Sequence, residues 1–176
     1  MSRFENRWAA VVFAALLLCA AAVAVAGPGD EDARNKEVVL LAVELMNAKN
    51  YGQLDRVIAK DYRRHSQATP EANVESLDGF VALLEQWDSA FTDVENEVHE
   101  LIAENGLVAI YGTYGGTHTG QMGPFAASGK RMSSDYAGYH RMENGKIAET
   151  WVTWDNMAIF SQLGISPCPA EVKKGE

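Results

Sequence analysis

His118 is placed where an imidazole can do proton chemistry. It lies in residues 116–120 (GTHTG), at the end of a strand-like run, and its flanking glycines allow close backbone approach. An imidazole at this position can shuttle a proton near neutral pH or donate to a substrate oxygen. The alternative is a structural histidine that bonds to the backbone of its own loop and holds that loop in place.

Asp155 supplies a carboxylate at the end of the last predicted strand. Alternation places it on the same face as Glu149, Trp151 and Thr153. A carboxylate that a tryptophan shields from water is harder to ionise, which suits a general acid/base. Asp155 also directly precedes residues 156–158, so it can instead cap a helix by accepting backbone hydrogen bonds, and both roles are compatible.

One predicted strand carries a further set of polar side chains. Alternation places Ser134, Tyr136, Gly138 and His140 on one face and Asp135 on the other. His140 is therefore a third candidate acid/base, with a position at the rim of a site as the alternative.

Helical segments must hold one side of such a site. Apolar residues recur at three and four from Ala33 onward, and a second short helix is predicted over residues 53–59. An extended piece follows at residues 61–65. A third helix opens at residues 76–80, with an apolar stripe on Phe80, Leu83, Leu84 and Trp87.

Strands must supply the other side. The turn signals at residues 104–106 (ENG) and 143–146 (ENGK) predict hairpins. The predicted strands flanking the two turns cover residues 94–102, 107–114, 131–142 and 147–154. Five glycines and one proline in residues 115–129 predict a long loop, and residues 156–163 a closing helical turn. Helices followed by an antiparallel meander predict an α+β fold with the helices on one side of the sheet.

The motifs of the second half resemble one family as a set. In order they are GTHTG at 116–120, SGK at 128–130, RMENGKI at 141–147, ETW at 149–151, Asp155, and QLG at 162–164. They resemble the SnoaL-like domain, the polyketide-cyclase or ester-cyclase branch of the nuclear transport factor 2-like superfamily. The resemblance covers residues 35–165 and implies a cone-shaped fold, in which N-terminal helices pack on a curved antiparallel sheet that encloses a pocket.

The resemblance also implies roles for particular residues. GTHTG is a pocket-facing motif in SnoaL-like proteins, and the acid/base aspartate of the SnoaL cyclases corresponds to Gly138 here, so this chain lacks that carboxylate. His140, on the same face, is the candidate replacement. Tyr62 and His65 resemble the Y-x-x-H of many such domains and are expected at the mouth of the cup. The expected ligand contacts are Tyr62, His65, Trp87, Tyr136 and Trp151, although the spacing of Trp87 also fits a core residue.

The N-terminus predicts export. Residues 1–26 contain two arginines, then an uncharged apolar run, then Ala24-Val25-Ala26. This is the pattern of a cleaved secretory signal, with an uncleaved membrane anchor as the alternative. Residues 27–34 are predicted as a linker and residues 166–176 as a polar tail. Cleavage leaves Cys168 as the one cysteine, so no disulfide can form within the mature chain.

Composition excludes several classes of function. The chain has a net charge of −9, which becomes −10 after residue 26 because Arg3, Arg7 and Glu5 are lost. Such a surface repels nucleic acid and anionic lipid. The sequence has no C-x-x-C, H-E-x-x-H or G-x-S-x-G motif, and its glycines lack the context of a phosphate loop. We therefore expect neither metal nor cofactor.

Two functions are consistent with this sequence. The first is a cofactor-independent cyclase- or isomerase-type enzyme that moves a proton next to a carbonyl of a small apolar compound, through His118 and Asp155. The second is a noncatalytic periplasmic or extracellular domain that binds such a molecule. Convergence of His118 and Asp155 on one cavity favours the enzyme, whereas a capping Asp155 and a loop-bound His118 favour the binder. The resemblance also implies a homodimer that pairs through the sheets.

Overall fold

The computed structural model describes residues 27–166. The signal predicted over residues 1–26 and the tail with Cys168 lie outside the described residues. Within the described range, no helix is long and apolar enough to span a bilayer.

Helix α1 covers Pro28–Asn47 and begins earlier than the sequence pattern indicates. Residues 28–34, predicted as a linker, form its first two turns. Proline suits the first helical position because its missing N–H needs no partner there, and Asp30 and Glu31 lie at the positive end of the helix dipole. A 3-10 helix, Tyr51–Arg56, follows where a short helix was expected.

Helix α2 covers Leu77–Ala90 and packs on the sheet. Its N-cap is Ser76, whose Oγ accepts a hydrogen bond of 3.0 Å from the backbone N–H of Gly79. Phe80 and Leu77 of its apolar face are buried, and Phe80 packs against Tyr62 with ring centroids 5.0 Å apart. Helix α3, Asn156–Leu163, ends at Gly164 in the left-handed conformation, as a helix C-terminus often does.

Five strands form one sheet in the order β1-β5-β4-β3-β2. They are β1 Ile58–His65, β2 Phe91–Glu104, β3 Leu107–His118, β4 Arg131–Glu143 and β5 Lys146–Trp154. Strands β2 to β5 form the expected antiparallel meander, whereas β1 pairs with β5 in parallel. The helices pack on one face of this curved sheet, so the α+β fold predicted from the sequence is confirmed.

Strand β3 continues four residues beyond its predicted end, through Gly115 and Gly116 to His118. A Cβ on Gly115 would lie 3.1 Å from the Met132 carbonyl oxygen, and one on Gly116 would lie 3.3 Å from the Thr92 carbonyl oxygen. The glycines therefore let neighbouring strands approach closely instead of ending the strand.

Strand β5 contains a bulge that decides which of its side chains face inward. Arg141 pairs with Glu149 but Met142 pairs with Ile147, so Ala148 is the extra residue. As a result Ile147 and Thr150, three residues apart, both face the helices.

Gly138 of β4 lies close against the backbone of β5. A Cβ added there would come closer than 3.0 Å to the Trp151 carbonyl oxygen and would lie 3.2 Å from the Val152 Cα. Both atoms are backbone, so only a shift of a strand relieves the clash.

Replacing Gly138 by alanine should therefore lower the free energy of unfolding by about 1–3 kcal/mol, because overpacking forces backbone shifts. Urea unfolding of G138A against wild type measures this. Gly52→Ala is the matched control, since its added Cβ meets nothing within 4 Å. Equal stability of G138A and G52A would contradict the close approach.

Candidate functional site

A cavity of about 200 Å³ lies between the helices and the inner face of the sheet. This volume is below the roughly 300–1,000 Å³ of most ligand pockets, so it suits a small molecule. Most of its wall is apolar, from Val39, Val43 and Met46 of α1, Phe80, Leu83, Leu84 and Trp87 of α2, and Ile110, Val152 and Trp154 of the sheet. The polar side chains that reach it come mainly from the strands.

His140 lines this cavity and is held by one hydrogen bond. Its Nδ1 lies 2.8 Å from the Oγ1 of Thr150, the residue that pairs with it across β4 and β5. Its Nε2 is buried and has no hydrogen-bond partner among the described residues. Burial lowers the pKa of His140 to about 4, because a low-dielectric environment disfavours the imidazolium. At neutral pH the ring is therefore uncharged.

Tyr62 lies beside this hydrogen bond in the cavity wall. Burial raises the pKa of Tyr62 to about 12, although the Thr150 hydroxyl and the charge of Arg64 act in the opposite direction. If Thr150 donates to Nδ1 of His140, then Nε2 carries the proton. In the reverse polarity Nε2 has a free lone pair, so one imidazole can serve as acid or base.

The inner face of β4 presents Ser134, Tyr136 and His140 to the cavity, with Gly138 between them. Gly138 therefore lies at the position that the resemblance assigns to the cyclase carboxylate, and no side chain fills it. Asp135 faces the opposite way, as alternation predicts. It accepts hydrogen bonds from the Tyr111 hydroxyl at 2.6 Å and Thr113 Oγ1 at 3.0 Å, which hold its pKa below the usual value.

Tyr136 and Trp87, two of the predicted ligand contacts, both line the cavity. The Tyr136 hydroxyl donates to Asn96 Oδ1 at 2.7 Å, and its ring lies over Gly112, whose added Cβ would be 2.8 Å from that hydroxyl. Burial raises the pKa of Tyr136 to about 12. Trp87 meets Trp154 edge to face, with ring centroids 6.5 Å apart.

Arg64 is a cavity residue that sequence reasoning missed. Its guanidinium lies 5.4 Å from the centre of the Trp154 ring, and its Nη1 donates to the Ala72 carbonyl at 2.8 Å. Burial lowers its pKa from the ordinary value, yet an arginine stays charged at neutral pH.

A second polar group lies where the segment after α1, including the 3-10 helix, meets α2. The Tyr51 hydroxyl donates to Asp88 Oδ2 at 2.6 Å, and Lys49 pairs with Asp88 Oδ1 at 3.1 Å. Burial is the largest cause that raises the pKa of Tyr51, and the Asp88 hydrogen bond adds to it. Tyr51 and Asp88 both line the cavity, whose polar side chains therefore come from helix and sheet.

His118 and Asp155, the first two catalytic candidates, lie outside the cavity lining. His118 is fully buried against Phe91, and its Nδ1 accepts from the Ser128 backbone N–H at 3.2 Å. Asp155 is the N-cap of α3 and accepts from the Ala158 backbone N–H at 3.0 Å. These are the loop-holding and helix-capping arrangements, so the two side chains do not converge on one ligand atom.

His65 and Trp151 also lie outside the cavity lining, on the outer face of the sheet. Their rings stack with centroids 5.1 Å apart, and Trp151 stacks on Tyr139 at 4.7 Å. His65 Nε2 lies 2.7 Å from Glu149 Oε1. Glu149 also binds Arg141, and these partners hold its pKa below the usual value against the opposing effect of desolvation.

Strand parity explains which side chains reach the cavity. In a strand, Tyr62 and Arg64 share a face but Tyr62 and His65 do not. The spacing of Tyr62 and Arg64, two residues apart in a strand, was the sequence signal that could have placed Arg64 in the cavity. The Y-x-x-H motif instead puts its tyrosine and its histidine on opposite faces of the strand. On β5, parity leaves open whether Trp151 or Trp154 faces inward, and the structure places Trp154 there.

Residues 27–166 contain no group of three His, Cys, Asp or Glu side chains that could hold a metal ion.

The buried state of His140 predicts a pH effect on stability. Between about pH 6.5, the usual pKa of histidine, and about pH 4, the unfolded chain binds a proton here that the folded chain does not. The free energy of unfolding should therefore fall as the pH falls through this window, by on the order of 3 kcal/mol. In urea unfolding across this pH window, the free energy of unfolding should fall less for His140→Leu than for wild type, and the difference should be this amount. His99→Leu, on the outer face, should keep the wild-type slope, and equal slopes for the two variants would contradict the prediction.

Comparison with known proteins places this geometry in a family. The sequence model of one protein family, the SnoaL-like polyketide cyclases, matches residues 36–163. No curated protein sequence matches the chain. Among solved structures, the chain is similar to TsrD from Streptomyces laurentii, with 22% identity, a TM-score of 0.68, and coverage of 76% of this chain and 97% of that chain.

Two further solved structures are similar over most of their length. AclR from Streptomyces galilaeus, described as a putative hydroxylase, is 27% identical with a TM-score of 0.66, over 80% of this chain and 87% of that chain. A putative SnoaL-like polyketide cyclase from Jannaschia sp. CCS1 is 16% identical with a TM-score of 0.69, over 77% and 95%. The family model spans most of α1, all of α2 and the whole sheet, and the chain therefore belongs to the SnoaL-like polyketide cyclase family of the nuclear transport factor 2-like superfamily.

Proposed function

We propose that this protein is a cofactor-independent cyclase- or isomerase-type enzyme that moves a proton next to a carbonyl of a small apolar compound, with His140 as the acid/base. The observation that carries the proposal is an uncharged imidazole in the wall of an apolar cavity, with one nitrogen fixed and the other unpartnered. Family membership supports this class of reaction.

Each part of the cavity contributes to such a step. The Thr150 hydrogen bond fixes the plane of the His140 ring and leaves Nε2 to take or give a proton. The imidazolium that forms then returns the proton from the same nitrogen to another atom of the substrate, which regenerates the neutral ring. The apolar wall of Phe80, Leu84 and Val152 excludes water, which prolongs an enolate that water would quench.

A noncatalytic binding domain is the second candidate, and two arrangements favour it. Asp155 caps α3 and His118 bonds to its own loop, so neither reaches a ligand. Gly138 lacks the cyclase carboxylate. The export predicted from residues 1–26 also favours binding, because SnoaL-type biosynthesis usually takes place inside the cell, and export is part of both proposals.

Exchange of protons for deuterium separates the two candidates. With 2-tetralone and a panel of small cyclic ketones in D₂O, wild type should accelerate exchange next to the carbonyl, measured by mass spectrometry. His140→Gln should reduce the rate by about 10²–10⁴-fold, the usual contribution of a general acid/base. His118→Gln should keep the wild-type rate.

If H140Q keeps the wild-type exchange rate, His140 is not the acid/base of the reaction. Binding of a ketone without any enzyme-dependent exchange would support the noncatalytic candidate instead.

We further propose that two copies pair through the outer face of the sheet. This face carries Ile102, Tyr111, Tyr139 and Leu107, which are 69%, 42%, 42% and 43% exposed. In register across the strands, Ile102, Ala109, Tyr139 and Trp151 form one apolar row, which ends at the ring of His65. An apolar row of this kind on an uncovered face is typical of an interface, and the family resemblance points to a second copy as its partner.

Light scattering after size exclusion tests the pairing. Wild type should have the mass of a dimer, and Tyr139→Glu should shift it to a monomer because a charge is buried in the interface. Leu40→Glu is the matched control, since Leu40 is 46% exposed on α1, away from the sheet. A monomeric wild type, or a dimeric Y139E, would overturn this arrangement.

A further inference from the structure

Arg64 differs from the other arginines of the sheet in having no acidic partner. Arg63 and Arg141 bind Glu149, and Arg131 binds Asp93. Among the described residues, no carboxylate lies within ion-pair distance of Arg64. It is also the arginine whose side chain lines the cavity.

The neighbours of Arg64 position its guanidinium without neutralising it. The Ala72 carbonyl accepts from one nitrogen, and the guanidinium carbon lies over the Trp154 ring. Both contacts hold the group in place, and its remaining N–H donors have no hydrogen-bond acceptor among the described residues. A cation–π contact together with free donors at the edge is how arginine recognises planar anionic groups.

A ligand that fills the cavity must then satisfy these donors. An apolar molecule displaces the water that solvates them, and a buried charge without a partner is costly. A carboxylate is the group that matches the fork of a guanidinium with two parallel hydrogen bonds. A neutral ester or amide oxygen offers an acceptor but no charge.

We propose that the ligand of this cavity is a small apolar carboxylic acid whose carboxylate binds Arg64, so that its apolar part reaches toward His140. This rests on the proposed function, since it names the substrate class of the same site. Thr150 pairs with Arg64 on one side and with His140 on the other, so the anchor and the acid/base belong to one row of the sheet. The carboxylate anchors the ligand while the carbon that loses its proton lies elsewhere on the molecule.

Because the protein as a whole is negatively charged, a preference for an anionic ligand has to come from groups inside the cavity. With a net charge of −9, the surface as a whole repels anions, and that repulsion is screened beyond about 8–10 Å at physiological salt. Preference for an acid over its amide must therefore come from the cavity and not from a diffuse field.

Calorimetric titration with a matched pair of probes, 3-phenylpropanoate and 3-phenylpropanamide, tests the inference. Wild type should bind the acid at least about ten-fold more tightly than the amide, as a charge-assisted bidentate pair requires. Arg64→Met keeps the apolar stem and should bind the two probes equally, with amide affinity close to wild type. Arg64→Lys should retain part of the preference, because it keeps the charge but loses the fork.

Arg63→Met is the matched control, since its side chain lies one residue away on the opposite face and pairs with Glu149. It should keep the wild-type preference, and thermal unfolding of all variants verifies that they are folded. Equal binding of acid and amide by wild type, or a preference that survives in R64M, overturns the role of Arg64 while leaving the cavity as a ligand site. Binding of neither probe by wild type overturns the ligand cavity itself, and with it the proposed function.

Discussion

The curvature of the sheet depends on glycines that lie on its concave face. Gly112 and Gly138 stand where an added Cβ would come closer than 3.0 Å to the backbone of the neighbouring strand. Each is paired with a large inward side chain, Gly112 with Tyr136 and Gly138 with Ile110. Inner residues crowd when a sheet bends, and removing two side chains relieves the crowding. The bend keeps the helices away from the centre of the sheet, which leaves the cavity open.

The same constraint explains the chemistry of the cavity. A strand position that must be glycine cannot carry an acid, so the mechanism that we propose takes its proton-transfer group from the next inward position, His140. Its environment then has to keep an imidazole neutral, and burial does so by lowering its pKa to about 4. A carboxylate buried in the same apolar wall would have its pKa raised instead. A buried histidine and a buried carboxylic acid thus both favour the uncharged form, the first because burial lowers its pKa and the second because burial raises it.

Sequence patterns predicted the fold well because hydrophobic period and turn chemistry act locally. The two hairpin turns, the meander and the helix over residues 156–163 all depend on short-range signals. The inward face of β5 was beyond such reasoning, since one bulge at Ala148 reverses the parity of every residue after it. Trp154 lines the cavity for this reason, while Trp151 stacks on the outer face with Tyr139. The lack of an acidic partner at Arg64 among the described residues is likewise a property of three-dimensional packing that no local pattern encodes.

Gly138 also has a consequence for how this chain can change over evolutionary time. A single substitution at this position cannot place a carboxylate in the cavity without moving a strand, because the Trp151 carbonyl and the Val152 Cα occupy the space where its Cβ would begin. An aspartate here would require a concerted change in two strands, whereas a substitution of Thr150 would change the hydrogen bond of His140 without moving the backbone. If His140 is the acid/base that we propose, the residues around it are therefore the easier place for new activity to arise.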